Sequence, residues 1–356
     1  MIVAMTEASA AAAPVLPDEI ANLQWLYRRV PEGLVSGDHY ERVVSPLSTR
    51  LARGEVLLAA RYVSVDPYMR INQARGATWM NPHPLDTVQS AAVVAQVLAS
   101  SASGWQPGDW ALSSLGWQTH GMAHAAELTK LDPAEAPVTT ALGVLGMPGR
   151  TAWFGLTEAG RPHAGEVVVV SGAAGAVGSL VVQFAKRHGA TVVGVAGGAA
   201  KCQWVVDALG ADHALDYRAY PDADALRAAL LQRVAGVDVY FDNVGGMVTD
   251  AVIPAIHRRA RIVICGQISQ YSGGLDAPGM GPRFLHHMLY QRATIQGVLA
   301  RDYLHRMDEM RRVVAPWVRA GQVVAEETII EGFDQLPAAL GSMFTGDHRG
   351  KLIVKV

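Results

Sequence analysis

Three glycines in SGAAGAVGS, Gly172, Gly175 and Gly178, are spaced to hold an anion against bare backbone. Small residues let the main chain approach a pyrophosphate, and a helix starting there adds free N–H groups and a partial positive charge. The flanks supply the required context. EVVVVSG (Glu166–Gly172) is a β-branched run suited to a strand buried on both faces. Val177, Leu180, Val181 and Phe184 then recur at helical spacing, with Gly189 placed to end the helix. A tight packing turn without a ligand is the other reading of the glycines taken alone. In dinucleotide folds an Asp or Glu usually ends the next strand and holds the ribose hydroxyls. Here TVVGV (Thr191–Val195) runs into Gly197, Gly198 and Lys201. Without a carboxylate the corner stops repelling a phosphate on the ribose 2′ oxygen, and Lys201 offers a countercharge. Tyr217 and Arg218, in LDYR after the following predicted strand, are positioned to close over the same group. Lys201 alone reads equally well as a solvated lysine at a helix start. Combined with the absent acid, the pattern points to NADPH/NADP rather than NAD.

A nicotinamide cofactor implies hydride transfer, and the side chains restrict which kind. Zinc alcohol chemistry needs thiolate and imidazole ligands, and a structural zinc needs four cysteines. The chain has two cysteines, Cys202 and Cys265. Of its twelve histidines only His286 and His287 are adjacent, and a helix is expected to point them apart. No metal site is expected. Cys265 ends a predicted buried strand and reads as a small packing residue. Conjugate reduction suits a site without a Lewis acid: hydride adds to the β-carbon of an α,β-unsaturated ketone or aldehyde. Charge then builds on the carbonyl oxygen, where a hydrogen-bond donor stabilises it, and a phenol or water protonates the α-carbon. Tyr271, in SQYSGG, is the first candidate donor; its other role is to bond the nicotinamide ribose. Tyr68, in VDPYMR, is the second, and its rival role is packing between domains. Neither phenol needs to ionise. Trp117, Trp79, Met80 and Met280 are candidates for an apolar substrate wall, although aromatic and methionine residues are more often core. Asp66 is expected to structure the VDP turn rather than act as a base.

These groups must be held by two kinds of structure. From Leu23 to Lys130, short alternating runs such as GEVLLAARYVSVDP and SAAVVAQVLAS are cut by Gly and Pro, a β-rich texture. From about Pro137 strands and helices alternate, with later strands at DVYFDNVGG (Asp238–Gly246), RIVICG (Arg261–Gly266) and ATIQGVL (Ala293–Leu299). That alternation predicts a doubly wound parallel sheet. The last segment, GKLIVKV, alternates again and is expected to rejoin the β-rich part. The 356 residues suffice for two domains, and with half of them hydrophobic and 17% charged a large core is expected. A net charge of −2 without basic runs argues against nucleic-acid or anionic-membrane partners. No segment has the roughly 18 apolar residues of a membrane span, and the Ala-rich N-terminus lacks a signal-peptide pattern. With two cysteines, a reduced cytoplasmic location is the default.

The chain resembles the zinc-free medium-chain dehydrogenase/reductases, in the branch of NADPH-dependent prostaglandin, alkenal double-bond and curcumin reductases. The resemblance runs over nearly the whole length, through VSVDPYMR (Val63–Arg70), LGWQ (Leu115–Gln118), GMPGRTAWFGL (Gly146–Leu156), AAGAVGS (Ala173–Ser179), DVYFDNVGG and CGQISQY (Cys265–Tyr271). It implies an α/β protein of two domains. Residues 1–138 with 316–356 form a GroES-like distorted β-barrel catalytic domain, and 139–315 a Rossmann cofactor domain, usually joined as a homodimer. It implies cofactor contacts at Gly175, Ala176, Val177 and Gly178, at Lys201 and Tyr217, and at Asn243. Further contacts fall at Cys265, Gly266, Gln267, Ile268, Ser269 and Tyr271, at Gly297, Val298 and Leu299, and at His348. The chain departs from the family pattern at Ile71-Asn72, at Arg150-Thr151-Ala152-Trp153 where Leu-Thr-Ala-Tyr is usual, and at His348 in place of an asparagine. The implied activity is reduction of a small apolar enone or enal. A quinone reductase of the same superfamily and a non-catalytic NADPH-binding sensor are the alternatives.

Overall fold

The computed structural model describes residues 16–73, 80–272, 280–346 and 348–356. The first part of the chain is β-rich. It forms β1 (Glu19–Tyr27), β2 (Tyr40–Ser48), β3 (Glu55–Ser64), the short α1 (Tyr68–Asn72) and β4 (Thr87–Val88). Then come β5 (Val93–Ser100), β6 (Trp110–Ser113), β7 (His120–His124) and β8 (Thr129–Leu131). Next, α2 (Met147–Phe154) leads into the second part. There β9 (Val167–Ser171), α3 (Gly178–Arg187), β10 (Thr191–Ala196), α4 (Ala199–Asp207) and β11 (His213–Asp216) alternate. The alternation continues through α5 (Ala223–Leu231), β12 (Val237–Asp242), α6 (Gly246–Val252), β13 (Ile256–Ile264), α7 (Leu285–Gln291), β14 (Thr294–Gly297) and α8 (Met307–Arg319). The chain closes with β15 (Glu327–Glu331), α9 (Leu336–Ser342) and β16 (Lys351–Lys355).

In the second part six strands form one parallel sheet, ordered β11-β10-β9-β12-β13-β14. Strand order reverses between β9 and β12, which leaves a crevice at their carboxyl ends where ligands of such folds bind. The run VVVVS alternates across the sheet as a doubly covered strand must. Val168 and Val170 pack with α2, α3, α4 and α8, whereas Val169 joins the layer of α5 and α6. Gly189, at φ +77°, follows α3 and provides the left-handed stop that its sequence position suggested.

The first part folds on an antiparallel sheet ordered β15-β16-β3-β5-β6-β8, with β7 also on β3, and a smaller sheet β2-β1-β4. Bonds from Trp25 N–H to Trp117 O and from Thr119 N–H to Leu23 O connect the two sheets into a distorted barrel. GKLIVKV rejoins this sheet as β16, antiparallel to β3, as expected from its alternation. The α/β class with two architectures is therefore the one anticipated. α8 packs in the core of the parallel-sheet unit through Met310 and Val314, and the chain returns to the barrel at β15. No described helix is long and apolar enough to cross a membrane.

Candidate functional site

The glycine loop leaves β9 at Gly172, whose φ is +60°, and turns into α3. A Cβ on Gly178 would lie 2.2 Å from the Gly172 carbonyl oxygen, so no side chain fits where the helix begins. The result is a bare cradle under free N–H groups, the geometry a pyrophosphate requires. The barrel reaches this loop directly. Gly350 donates its N–H to Ala174 O at 2.8 Å and bridges to Gly175 in parallel register, which brings the half-buried His348 beside the cradle. Gly350 has φ +61°, and a Cβ there would sit 2.0 Å from Glu326 O, so this crossing also requires glycine.

Below the crevice lies a carboxylate with no exposure, that of Asp242 at the end of β12. It accepts bonds from Ser171 Oγ, Tyr240 Oη, Thr249 Oγ1, Gln267 Nε2 and the N–H groups of Val244 and Gly245. Six donors replace the lost hydration, which is how a charge stays buried. Asn243 follows, held by Nδ2 on Ser171 O at 2.7 Å and by its N–H on Ser171 Oγ at 2.8 Å. The loop 265–271 is stitched to the same hub: Cys265 and Gly266 donate N–H groups to Asp242 O, and Ile268 and Ser269 to Asn243 O and Val244 O. Tyr271 folds back over its own loop, and its Oη accepts the Gln267 N–H at 2.8 Å. The hydroxyl keeps its proton as a donor, and burial pushes its pKa up to about 12, so the neutral phenol persists throughout the physiological range. Beyond β13, Val298 donates its N–H to Ile264 O, which sets Gly297 to Leu299 on the same carboxyl edge.

At the end of β10, Gly197 has no room for a side chain: a Cβ would lie 2.9 Å from Arg218 Nε and 3.0 Å from Tyr217 Cε1. Lys201 Nζ donates to Gly346 O at 2.6 Å, and Arg218 Nη2 to Thr345 O at 3.0 Å. Arg218 and the Tyr217 ring therefore face Gly197, and Lys201 and Arg218 both reach the segment before β16. Among the described residues one carboxylate is close, that of Asp216, and its Oδ1 accepts the N–H groups of Gly198 and Arg218. Among the described residues Lys201 and Arg218 bring two cations to this corner, and such a donor set fits an additional phosphate.

From the barrel side, α1 presents Tyr68 at its first turn. Burial, then the charge of Asp66, holds this phenol well above its ordinary pKa. The turn before it is fixed by a buried ion pair that the sequence did not reveal. Lys351 Nζ, on a side chain 3% exposed, donates to Asp66 Oδ1 at 3.0 Å, Val65 O at 2.6 Å and Leu352 O at 2.9 Å. Ser64 Oγ also bonds the Asp66 carboxylate. Three acceptors match three ammonium protons, so Lys351 is held charged even though burial lowers its pKa. Asp66 thus structures the turn, as expected, and Lys351 links that turn to the Gly350 crossing one residue away. A lysine inside an alternating strand is the only sequence signal of this joint, and it reads first as a surface residue.

The expected apolar wall does not form as proposed. Trp117 has no exposure; it packs in the barrel core with its ring centroid 4.9 Å from that of Tyr40. Met280 is fully exposed and Met80 is partly so, whereas Trp79 lies outside the described residues. The Trp117 carbonyl accepts the Trp25 N–H and its own N–H reaches Gln89 O, which seats the ring between the two barrel sheets. The rings of His286 and His287 are 3.9 Å apart rather than directed away from each other. Among the described residues no group of three His, Cys, Asp or Glu is placed to hold a metal ion.

Comparison with known proteins follows the two-part architecture. Residues 23–131 match a family described as the N-terminal domain of oxidoreductase, and 176–316 one described as zinc-binding dehydrogenase. The chain is 41% identical over 329 residues to the putative NADP-dependent oxidoreductase YfmJ of Bacillus subtilis, covering 92% of this chain and 96% of that protein. It is 36% identical to the NADPH-dependent curcumin reductase of Escherichia coli, covering 94% and 97%. Among solved structures it resembles CurA in complex with NADPH from Vibrio vulnificus, with a TM-score of 0.86, 35% identity, and 94% and 99% of the two chains covered.

Proposed function

The chain belongs to the medium-chain dehydrogenase/reductase family, in its zinc-free branch, and on that premise we propose that it is an NADPH-dependent reductase of the carbon–carbon double bond of α,β-unsaturated ketones and aldehydes. The observation that carries the reading is the meeting of a bare glycine cradle with the cationic corner at Gly197, Lys201 and Arg218. Gly175 to Gly178 would hold the pyrophosphate, Lys201 with Tyr217 and Arg218 the 2′-phosphate, and Asn243, residues 265–271, residues 297–299 and His348 the ribose and nicotinamide side. When bound, NADPH supplies the hydride.

The chain's own work is binding, orientation and proton handling. The Asp242 hub fixes the 265–271 loop, so Tyr271 has one position and its hydroxyl hydrogen remains free to donate. A neutral phenol with raised pKa stabilises charge on a carbonyl oxygen through a hydrogen bond without losing its proton prematurely. Tyr68, oriented by the Asp66–Lys351 joint, is the second donor and delivers the proton to the α-carbon directly or through water. The reading requires no zinc. The test is a panel of enones, enals and quinones assayed with NADPH and NADH. Turnover of enones and enals with NADPH is expected; turnover of quinones alone sinks the proposal in favour of a quinone reductase.

We further propose a homodimer through the outer strand β14. All four of its residues are exposed, and Leu285, Leu289 and Tyr290 of the adjacent α7 are each more than 70% exposed. An open edge beside apolar side chains is an interface awaiting a strand, and a second copy offers the same one. The two free thiols, Cys202 and Cys265, accord with the reduced cytoplasm as its place of work.

A further inference from the structure

The buried charge of Arg150 meets no carboxylate among the described residues. Arg150 lies on α2 and is 8% exposed. Its Nε is buried and has no acceptor, and its Nη1 reaches only the sulfur of Met307 at 3.8 Å. A second cation, Arg311 on α8, is close enough to repel it, and Arg311 Nε donates to Leu145 O at 3.2 Å. Burial and the proximity of Arg311 both lower the pKa of Arg150, yet a guanidinium keeps its proton at neutral pH. A charge withdrawn from water is stable only when paired or fully hydrogen-bonded, and among the described residues Arg150 has no oxygen acceptor or carboxylate.

We infer that Arg150 and Arg311 form a subsite for one oxyanion group, a carboxylate or a phosphate, at the α2–α8 contact. Two guanidinium forks from neighbouring helices match the paired oxygens of such a group. The location gives the subsite a use. The segment before α2 lines a small interdomain cavity through Gly143 and Val144, opposite Ala176 and Ser179 of the glycine loop. α8 follows β14 after a single short turn, Ala300–Arg306. Arg311 reaches the segment before α2 at Leu145 O, next to the cavity-lining Val144, and an anion held there would be either a free oxyanion or the acidic tail of a substrate.

Two arms separate these sources, using the full-length enzyme saturated with NADP so that the Lys201 corner is filled. In the first, thermal unfolding is followed at constant ionic strength with and without inorganic phosphate. The wild-type midpoint should rise by about 2 °C or more, and Arg150→Leu and Arg311→Gln should each lose most of that shift. In the second, kcat/KM is compared for an enone bearing a terminal carboxylate and for its methyl ester. A preference for the acid of about tenfold or more that collapses in both variants identifies the substrate tail. A phosphate shift without that preference identifies a free oxyanion. Arg150→Leu removes an unpaired buried charge, so in phosphate-free buffer it should unfold at a higher temperature than the wild type; if it fails to fold, Arg311→Gln carries both arms. Variants that match the wild type in both arms, or a wild type showing neither effect, overturn the assignment. Only the second arm rests on the enone reading; if neither enone turns over, the phosphate arm still decides.

Discussion

Replacing Lys201 with alanine is the sharpest test of the cofactor corner. The ammonium is held 2.6 Å from Gly346 O, one residue from the Thr345 O that Arg218 reaches from beside Gly197. A charge-assisted hydrogen bond contributes about 1.5–3 kcal/mol. Lys201 is only half-buried and Arg218 remains, so the lower part of that range applies: about 1.5–2 kcal/mol, or roughly 10- to 30-fold in the dissociation constant for NADPH. NADH lacks the phosphate and should lose less than about twofold, because nothing charged on it meets the ammonium. Quenching of protein fluorescence by each dinucleotide, at low and at high salt, reads both constants. The NADPH deficit should shrink as salt screens the corner, and Lys201→Arg should recover most of the affinity. Equal losses for both cofactors, or a wild type that binds NADH as tightly as NADPH, would refute the phosphate role.

Tyr271→Phe should lower turnover at least tenfold on the scale typical of a lost proton donor, with NADPH affinity nearly unchanged; single-turnover rates with an enone check it, and an unaltered rate removes Tyr271 from the chemistry. Lys351→Met leaves Asp66 buried and uncompensated and should cost about 3–5 kcal/mol in urea unfolding. The double change Asp66→Asn with Lys351→Met should restore part of that loss, whereas additive losses would contradict the pairing. His83 and His120 have pKa values lowered by burial, so in each case the unfolded state takes up a proton at a pH where the folded state does not. Stability should therefore be complete above pH 6.5, the ordinary histidine value, and decline as pH falls below it; a flat profile between pH 5 and 6.5 would be inconsistent with these environments. Ile295→Lys, on the exposed β14 edge, should convert a dimer to a monomer by light scattering, and an unchanged mass would move the interface elsewhere.

The cofactor half of this protein was legible because its signals are local. VVVVS reads as a doubly covered strand from four consecutive β-branched residues, and the glycine triplet precedes a run at helical spacing. The missing acid after β10 is a matter of a few residues. Such patterns record which backbone shapes and burial periods a short segment tolerates, and those constraints act within one strand–turn–helix unit. The same locality limited the rest. Trp117 lies on a stretch that suits a substrate wall as well as a core, and only the closure of two sheets around it decided for the core. Lys351 and Asp66 are 285 positions apart, and Gly350 meets Ala174 from the opposite end of the chain. Arg150 was visible as a departure from the family pattern, but its surroundings are a property of the α2–α8 contact. Sequence alone determined the class, the glycine cradle and the sign of the phosphate corner, since each depends on neighbours along the chain. Which phenols are oriented, which lysine joins barrel to cradle and which arginine is left unpaired were decided by tertiary structure, because pairing of buried charges depends on the register and packing of segments that share no local pattern.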